Sequence, residues 1–426
     1  MATFYIDPSS ATNGVGSEVD PFNAWGSVTW TAGNTYLQKA GTTHNGTITV
    51  GTSGTSGNRI TIGAYGSGAR PIVQGLAAEH GINLGTRSYI DVIGMHAIGG
   101  SNSTRNGING LAADALTAEF INIINCIAES PIAVDGNGIQ LRGAGNVIRG
   151  TEVRNCVQDG MFLTVSNCLI DDCYIHDFDT ERADGDGIQF AGTHDHGQVL
   201  IRNTRIIGHI SSPLKQCIIT AAGTGTFRVQ GGEFYGMVTG LSIAIANAVI
   251  ERVRIWGGTQ RGVTCTANGV TVRDSLIYET PRAVSIDSGI TGVYVDGNTI
   301  DTSEEGVTAN TGAASYTARN NWIDAPTVHT LSATASATLT YNRYPSGSAF
   351  RINATTYDLA GWKTASSTDA NATEVDPLLT TNYRRKVGSP LLGAGTHLGY
   401  RRDISGRQRP NPPSIGADDA ATLAPA

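Results

Sequence analysis

The chain has 426 residues, of which 40% are hydrophobic, 15% are charged and 54 are glycine. This composition is too apolar for a disordered protein, and abundant Gly with Ile, Val and Thr predicts an all-β protein with many tight turns. The net charge of −7 argues against nucleic acid as a partner, because phosphate binding favours a basic surface.

Two features of the sequence bear on location. No apolar run reaches the roughly 18 residues of a transmembrane helix, so membrane insertion is not predicted. The N-terminal sequence MATFYIDPSS has neither the basic nor the apolar region of a signal peptide. We expect that the protein leaves the cell by another route, such as lysis, or that a signal was removed from the chain.

The cysteines form no CxxC pair, and most lie in β-like runs at positions compatible with burial. A zinc site would need close cysteine pairs with histidine partners, so free buried thiols are predicted and no metal site is assigned to them. The six are Cys126, Cys156, Cys168, Cys173, Cys217 and Cys265.

Along the chain, residues 1–60 lack a regular repeat, residues 61–330 carry one, and residues 331–426 are again irregular. The repeat is a pair of apolar residues five positions apart, and its first member recurs at spacings of 21 to 31 residues. A spacing near 22 with occasional expansions indicates coils with loop insertions. The pairs are Val92/Ala97, Ile123/Ala128, Ile148/Val153, Ile170/Ile175, Ile201/Ile206, Val229/Phe234, Ile250/Ile255, Val272/Ile277, Val295/Ile300 and Ala318/Ile323.

A sharp bend is predicted inside each pair, two residues after the first apolar member. Seven of the eight residues at this position are Gly, Asn or Asp, which tolerate positive φ. The bend explains how residues five apart can both face the interior. The eight positions are Gly150, Asp172, Asn203, Gly231, Arg252, Asp274, Gly297 and Asn320.

A second short strand follows in each coil and opens with Gly or Ala before apolar residues. Strand, bend, strand, turn and strand in about 22 residues is typical of a parallel β-solenoid. No segment carries the apolar spacing of a long amphipathic helix, so a helical repeat is rejected. The opening residues are Gly138, Gly160, Gly187, Gly240, Gly262, Ala283 and Gly306.

On these repeats the chain resembles the right-handed parallel β-helix superfamily of pectate-lyase-like proteins, which includes polysaccharide lyases, glycosidases and phage tail-spike depolymerases. The segments 57–75, 376–395, 402–410 and 414–419 are similar to the opening and closing segments of such proteins. The resemblance implies a single-stranded right-handed parallel β-helix of about ten coils. It also implies activity on a polysaccharide, an extracellular or virion-tail location and, for a tail spike, a homotrimer.

The solenoid predicts three segments. Residues 1–60 are expected to form an N-terminal cap, because an open solenoid end exposes unpaired backbone. Residues 61–330 are expected to form the coils. Residues 331–426 are expected to form an irregular C-terminal segment and cap.

Stacking the coils by their second strand places the residue before each opening Gly or Ala in one column. Asp159 and Asp186 are then adjacent, about 4.8 Å apart between strands, and Asp184 lies on the approach. Adjacent carboxylates raise one pKa, which is the arrangement that glycoside hydrolysis uses. Asp before Gly is also ordinary turn chemistry. The column is Asn137, Asp159, Asp186, Thr239, Arg261, Arg282 and Glu305.

The coil that contains Asp186 is enlarged by two polar insertions, within 177–185 and 191–197. Because loops carry function, His194 is predicted as a catalytic base, with Asp195 and His196 binding substrate. A metal pair formed by His194 and His196 is an alternative. Gln189 of the same coil is a further predicted substrate contact. No cofactor is predicted. The DGDG sequence beginning at Asp184 leaves calcium as an alternative, although a calcium loop would need more acidic ligands.

Lys215 is the candidate for elimination chemistry. A lyase must neutralise a uronate carboxylate and remove the adjacent proton, and Lys or Arg can serve both needs. Arg142 and Arg182 are predicted to supply positive charge. We predict a polysaccharide depolymerase that hydrolyses a bacterial or plant glycan, such as exopolysaccharide, capsule or O-antigen. The alternatives are a uronate-specific lyase and a non-catalytic glycan-binding solenoid.

Overall fold

The computed structural model describes residues 1–101, 105–111, 118–131, 136–178, 185–208, 214–399, 402–418 and 421–422. It divides into two compact units, Met1–Lys215 and Gln216–Ala426. Both are built of short parallel strands, so the predicted all-β class is confirmed. No helix among the described residues is long and apolar enough to span a bilayer.

The first unit contains a short 3₁₀ turn, Trp25–Ser27, and a series of short strands. The strands are β1 (Thr3–Ile6), β2 (Thr35–Lys39), β3 (Thr43–Asn45), β4 (Ile48–Thr49), β5 (Ile60–Tyr65), β6 (Ile72–Gln74), β7 (Ile82–Asn83), β8 (Ile90–Ile93), β9 (His96–Ile98), β10 (Ile108–Gly110), β11 (Ile121–Ile124), β12 (Ile127–Ser130), β13 (Ile139–Ala144), β14 (Val147–Arg149), β15 (Glu152–Cys156), β16 (Met161–Ser166), β17 (Cys168–Asp171), β18 (Tyr174–His176), β19 (Ile188–Phe190), β20 (Asp195–Arg202) and β21 (Arg205–Ile207).

Strand β22 (Leu214–Thr220) runs through the division, and the second unit holds the remaining strands and one helix, α1 (Leu359–Ser366). The strands are β23 (Thr224–Gln230), β24 (Glu233–Tyr235), β25 (Met237–Ile243), β26 (Val249–Glu251), β27 (Arg254–Trp256), β28 (Arg261–Cys265), β29 (Thr271–Arg273), β30 (Leu276–Ile286), β31 (Val293–Asp296), β32 (Thr299–Ala309), β33 (Ser315–Arg319), β34 (Trp322–Asp324), β35 (Thr327–Leu331), β36 (Ser336–Thr340), β37 (Arg343–Tyr344), β38 (Ala349–Ile352), β39 (Thr355–Tyr357), β40 (Thr373–Glu374), β41 (Arg385–Lys386) and β42 (Ala421–Thr422).

Each coil contributes one strand to each of three parallel series. In the first unit the series are β1-β2-β5-β8-β11-β14-β17-β20, β3-β6-β9-β12-β15-β18-β21 and β4-β7-β10-β13-β16-β19. In the second unit they are β23-β26-β29-β31-β33-β36, β24-β27-β30-β32-β34-β37 and β25-β28-β30-β32-β35-β38. Strands β30 and β32 each pass through two series. This is the architecture of a parallel β-helix, which confirms the predicted fold class.

The apolar pairs form two continuous buried columns within each unit. In the first unit Ile123, Ile148 and Ile170 are register partners and fully buried. The second member of each pair behaves alike, as Ala128 opposite Val153 shows. Burial of these columns is the main favourable contribution to folding.

The predicted bends are confirmed at all eight positions. Every one has φ between 52° and 70°, including Arg252 at 56°. The bend N–H donates to a carbonyl of the next coil, as from Gly150 to Asp171 O at 3.0 Å. Gly94 and Asn125 extend the same geometry to earlier coils.

The opening glycine of the second strand is required by close packing between coils. A Cβ on Gly138 would lie 2.2 Å from Val153 Cγ1 and 2.8 Å from Gly160 O. A Cβ on Gly160 would lie 2.5 Å from Ile175 Cγ2. The sequence signal that marked these strands therefore has a steric cause.

The six cysteines are buried free thiols, as predicted. Strands β1 to β4 precede residue 61, and strands β36 to β42 follow residue 330. The division into caps and coils at 60/61 and 330/331 stays a prediction.

Replacing Gly94 with Ala should destabilise the protein through the backbone alone. Gly94 has φ of 67°, and its Cβ would meet no atom within 4 Å. We expect the free energy of unfolding to fall by about 1–2 kcal/mol in chemical denaturation, since an L-residue is disfavoured there. Gly57→Ala is the control, because that glycine has open space and no left-handed φ. Equal stability of the two variants would contradict the role of the bend.

Candidate functional site

The column before the second strand is a hydrogen-bonded ladder in the first unit. Each rung residue donates its backbone N–H to the side chain of the preceding rung, and each rung is followed by Gly. The bonds run from Asn106 N to His80 Nδ1 (3.0 Å), Asn137 N to Asn106 Oδ1 (2.9 Å), Asp159 N to Asn137 Oδ1 (3.1 Å) and Asp186 N to Asp159 Oδ1 (2.9 Å). The predicted adjacency of Asp159 and Asp186 is confirmed.

Asp159 differs from the Asn rungs because its second carboxylate oxygen, Oδ2, takes no part in the ladder hydrogen bonds. The residue is 1% exposed, and its Oδ2 has no hydrogen-bond partner among the residues that the structure describes. Burial raises the pKa of Asp159 to about 7, although the N–H of Asp186 and the charge of Lys215 oppose the rise. A carboxyl group that titrates near neutrality can both donate and accept a proton.

Asp186 and Lys215 complete the part of the predicted site that the structure brings together. Asp186 is 4% exposed and lies one rung beyond Asp159. Lys215 is exposed, and its backbone N–H donates to Gly185 O at 3.1 Å. The positive charge of its side chain lowers the pKa of Asp159. The structure therefore brings Asp159, Asp186 and Lys215 to one corner of the coils.

The predicted histidines lie at the other end of the strand. His194 Nε2 is 3.0 Å from Val165 O, and its Nδ1 is 3.0 Å from Gly192 O. Val165 lies six residues beyond Asp159, or about 20 Å along an extended strand. The structure therefore does not bring His194 together with the aspartates.

His196 lies in strand β20 rather than in an exposed loop. Its side chain is fully buried against Phe190 and His194, with ring centroids 6.4 Å and 4.2 Å away. Burial lowers its pKa, and His194 adds to the effect. Asp195 is exposed, but its Oδ1 accepts the N–H of Gly197 at 2.9 Å, which is turn chemistry.

Gln189 and Arg142 point away from the core on the second-strand series. Gln189 pairs in register with Phe162 and is half-buried. Arg142 pairs with Thr164, five residues beyond the Asn137 rung, and its Nε has no hydrogen-bond partner within the described ranges. Both line the face that leads from the aspartates towards His194.

Two predicted residues, Arg182 and Asp184, lie outside the described residues. The calcium alternative depends in part on Asp184 and is therefore untested. In the described ranges no three His, Cys, Asp or Glu side chains are arranged to hold a metal ion.

The predicted column continues in the second unit, where its residues are register partners but carry different side-chain chemistry. Thr239 pairs with Arg261, Arg261 with Arg282, and Arg282 with Glu305. Glu305 is engaged, since Arg282 Nε lies 2.9 Å from it and Thr308 Oγ1 donates to it at 2.9 Å. These contacts indicate a structural ion pair.

Sequence reasoning missed a charged network on the strand series that leads into the ladder. Glu129, 7% exposed, is contacted by His96 Nε2 at 3.0 Å and by Arg154 Nε at 2.7 Å. Arg154 also donates to Glu152 at 2.8 Å, and His176 Nε2 lies 3.1 Å from Glu152. Burial raises the pKa of Glu129, but the bonds from His96 and Arg154 outweigh it and hold the pKa at about 2.

A sequence signal for this network existed. Its members flank the second residue of each apolar pair, such as His96 before Ala97 and Glu129 after Ala128. Because strand neighbours of a core residue face outward, stacking these flanks coil by coil would have exposed the alternation of acids and bases.

Comparison with known proteins supports the fold. Residues 106–209 match the family model of the right handed beta helix region. No curated protein sequence matches the chain. The matched segment contains the ladder from Asn106 to Asp186.

Solved structures of low identity share this fold. A mannuronic acid specific polysaccharide family 6 lyase from human gut microbiota is 13% identical, with a TM-score of 0.59 over 89% of this chain and 92% of that one. XylC in complex with xylose is 10% identical, with a TM-score of 0.50 over 99% of each chain. The Dettilon tailspike protein is 13% identical, with a TM-score of 0.45 over 82% of this chain and 68% of that one. The resemblance to right-handed parallel β-helix proteins is confirmed.

Asp159→Asn should keep the ladder, because Asn137 makes the same contact, and should remove a pH-dependent contribution to stability. The folded pKa of about 7 lies above the unfolded value of about 3.9. The contribution is therefore fully present below about pH 4 and is lost as the pH rises through about 7.

The shift corresponds to at most about 4 kcal/mol. We expect the free energy of unfolding of the native protein, minus that of Asp159→Asn, to fall by a few kcal/mol from about pH 4 to about pH 8. Denaturant titrations at each pH measure it. A constant difference would mean that Asp159 titrates normally.

Proposed function

We propose that the chain cleaves a polysaccharide lying across the outer face at the Asp159 corner, using Asp159 as its proton-transfer group. The observation that carries this proposal is a buried carboxyl group with a pKa of about 7 and one oxygen that has no partner in the described part of the chain. The ladder requires only one acceptor oxygen at this rung. Asn at Asn106 and Asn137 supplies that acceptor without a titrating group.

Hydrolysis is the preferred reaction. Protonated Asp159 donates its proton to the glycosidic oxygen as the bond to the leaving sugar breaks. Asp186, on the adjacent rung, acts as the second carboxylate, either on water or on the sugar. The charge of Lys215 opposes the rise of the Asp159 pKa, which therefore stays at about 7. Asp184 stays a proposed third carboxylate.

Elimination from a uronate is the second candidate, favoured by the exposure of Lys215 beside Asp159. Lys215 would neutralise the substrate carboxylate or take the adjacent proton. Arg142 and Gln189 would bind the chain further along the face. Arg182 stays a proposed partner in this scheme.

A non-catalytic glycan-binding solenoid is the third candidate. It is favoured by the position of Asp159 in a ladder whose earlier rungs are His80, Asn106 and Asn137. In that case the carboxylate only supports the turn. The placement of His194 far from the aspartates leaves that residue as a proposed binding group in any of the three schemes.

The fold neighbours fit the glycan class, because the two with the higher TM-scores are named for a mannuronic acid lyase and for a xylose complex. We propose an extracellular or virion-tail protein that acts on bacterial or plant glycan. A homotrimer, as in tail spikes, is part of the same proposal.

Asp159→Asn should lower the rate of polysaccharide cleavage by roughly 10²–10⁴-fold, the usual contribution of a general acid or base. The protein should still fold, since the ladder bond is kept. Cleavage of a panel of acidic and neutral polysaccharides is followed by new reducing ends. The ultraviolet absorbance of unsaturated uronate products is recorded in parallel. Asp172→Asn is the matched control, because Asp172 lies at a bend where Asn125 and Asn203 adopt the same φ.

The readouts separate the candidates. Reducing ends without the absorbance support hydrolysis, and both signals, with loss in Lys215→Ala, support elimination. Full activity in Asp159→Asn would exclude Asp159 from the chemistry. Binding of a glycan by the native protein without any cleavage would establish the non-catalytic solenoid.

A further inference from the structure

One bend of the second unit departs from the pattern. Of the eight bends from Gly150 to Asn320, only Arg252 is neither Gly, Asn nor Asp, yet its φ is 56°. A long side chain in this conformation is disfavoured, and such outliers cluster at functional sites. The surroundings of the Arg252 guanidinium group are therefore a candidate functional site.

Arg252 lines an open cleft of about 360 Å³ within the second unit. This volume is sufficient for a sugar residue and exceeds what a small ion fills. The lining residues are Gln230, Glu251, Arg252, Arg273, Asp274, Gly399 and Arg402.

The two acidic groups of the cleft are already paired. Glu251, 5% exposed, accepts Arg273 Nε at 2.9 Å and Gln230 Nε2 at 2.9 Å. Asp274 accepts Arg409 Nη2 at 2.7 Å. Neither carboxylate needs Arg252 as a partner.

No described residue accepts a hydrogen bond from the Arg252 side chain. Its Nη2 lies 3.7 Å from Glu251 Oε1, which is beyond hydrogen-bond distance. Arg228 Nη1 is 3.4 Å from the same oxygen, and exposed Arg402 faces the cleft from the C-terminal segment. Five guanidinium groups thus surround two carboxylates, in a chain whose net charge is −7. The local excess of positive charge favours an anionic ligand.

We propose that this cleft binds the carboxylate of an acidic sugar in an anionic polysaccharide. Guanidinium groups hold carboxylates in a planar, paired geometry, and the open, polar cleft leaves room for the sugar ring. The choice of a glycan over a free anion rests on the proposed function. The cleft itself does not depend on the chemistry of Asp159.

Arg252→Gly tests the cleft cleanly, because Gly occupies the equivalent bends at Gly150, Gly231 and Gly297. Calorimetric titration with short oligouronates should show affinity weakened at least about tenfold, the loss expected for one charge-assisted contact. Arg252→Asn, which also suits the bend, should behave alike. Asn203→Gly is the control, since it makes a bend substitution in the first unit without loss of charge, and it should bind normally.

Two further probes define the ligand. A neutral xylo-oligosaccharide of the same length should not bind measurably, and inorganic phosphate should bind more weakly than the oligouronate. Unchanged oligouronate affinity in both Arg252 variants would overturn the proposal, as would absence of binding by the native protein. Equal affinity for phosphate would also overturn it, because the cleft would then recognise an ion rather than a sugar.

Cleavage assays on the same variants keep the two proposals apart. Lost cleavage in Asp159→Asn with normal oligouronate binding supports both. If binding depends on Arg252 but the protein cleaves no glycan, the cleft proposal stands and the proposed enzymatic activity is rejected. If the protein cleaves glycan but binding does not depend on Arg252, the proposed enzymatic activity stands and the cleft proposal is rejected.

Discussion

The left-handed bend is the constraint on which both units depend. The coils turn at residues with positive φ, and the N–H of such a residue is donated to a carbonyl of the next coil, as at Gly150 in the first unit and Arg252 in the second. Because the bend recurs at the same place, apolar residues on either side align into buried columns. Short strands with few residues per coil then gain stability from stacking rather than from their own length. Every side-chain column that faces solvent inherits its register from this bend.

Because the register of the coils is fixed, replacing the residue at one rung changes the chemistry there while the backbone geometry stays the same. Asn137 and Asp159 occupy successive rungs and accept the same kind of backbone hydrogen bond. They differ in one atom, which at Asp159 is a buried oxygen that no described residue contacts by a hydrogen bond. The scaffold holds this oxygen in place whatever its protonation state, so the fold supplies the positioning and burial supplies the pKa.

Sequence periodicity predicted the columns, the bends and the opening glycines because each follows from sterics repeated in every coil. It also placed Asp159 beside Asp186. It did not reveal that Asp159 accepts a ladder bond, since a pattern of residue types carries no hydrogen-bond direction. It grouped His194 with the aspartates because all three belong to neighbouring coils, although the length of a strand separates them. His196 is buried because part of the second insertion continues a strand, and a count of inserted residues cannot show this.

The same bend that stabilises the fold also limits where function can be added. A polar side chain at a bend lies outside the apolar core, exposed at Asp172 and Asn203 and covered by the C-terminal segment at Asp274 and Asn320. However, only Gly, Asn and Asp adopt the φ of a bend readily. Arg252 breaks this rule, and the neighbouring Glu251 is saturated by Arg273 and does not need it. A structural explanation would require Arg252 to make a contact that offsets its backbone strain, and its nearest acidic oxygen is 3.7 Å away. A ligand in the cleft would provide that contact, and this is the physical reason for assigning the cleft to an anion.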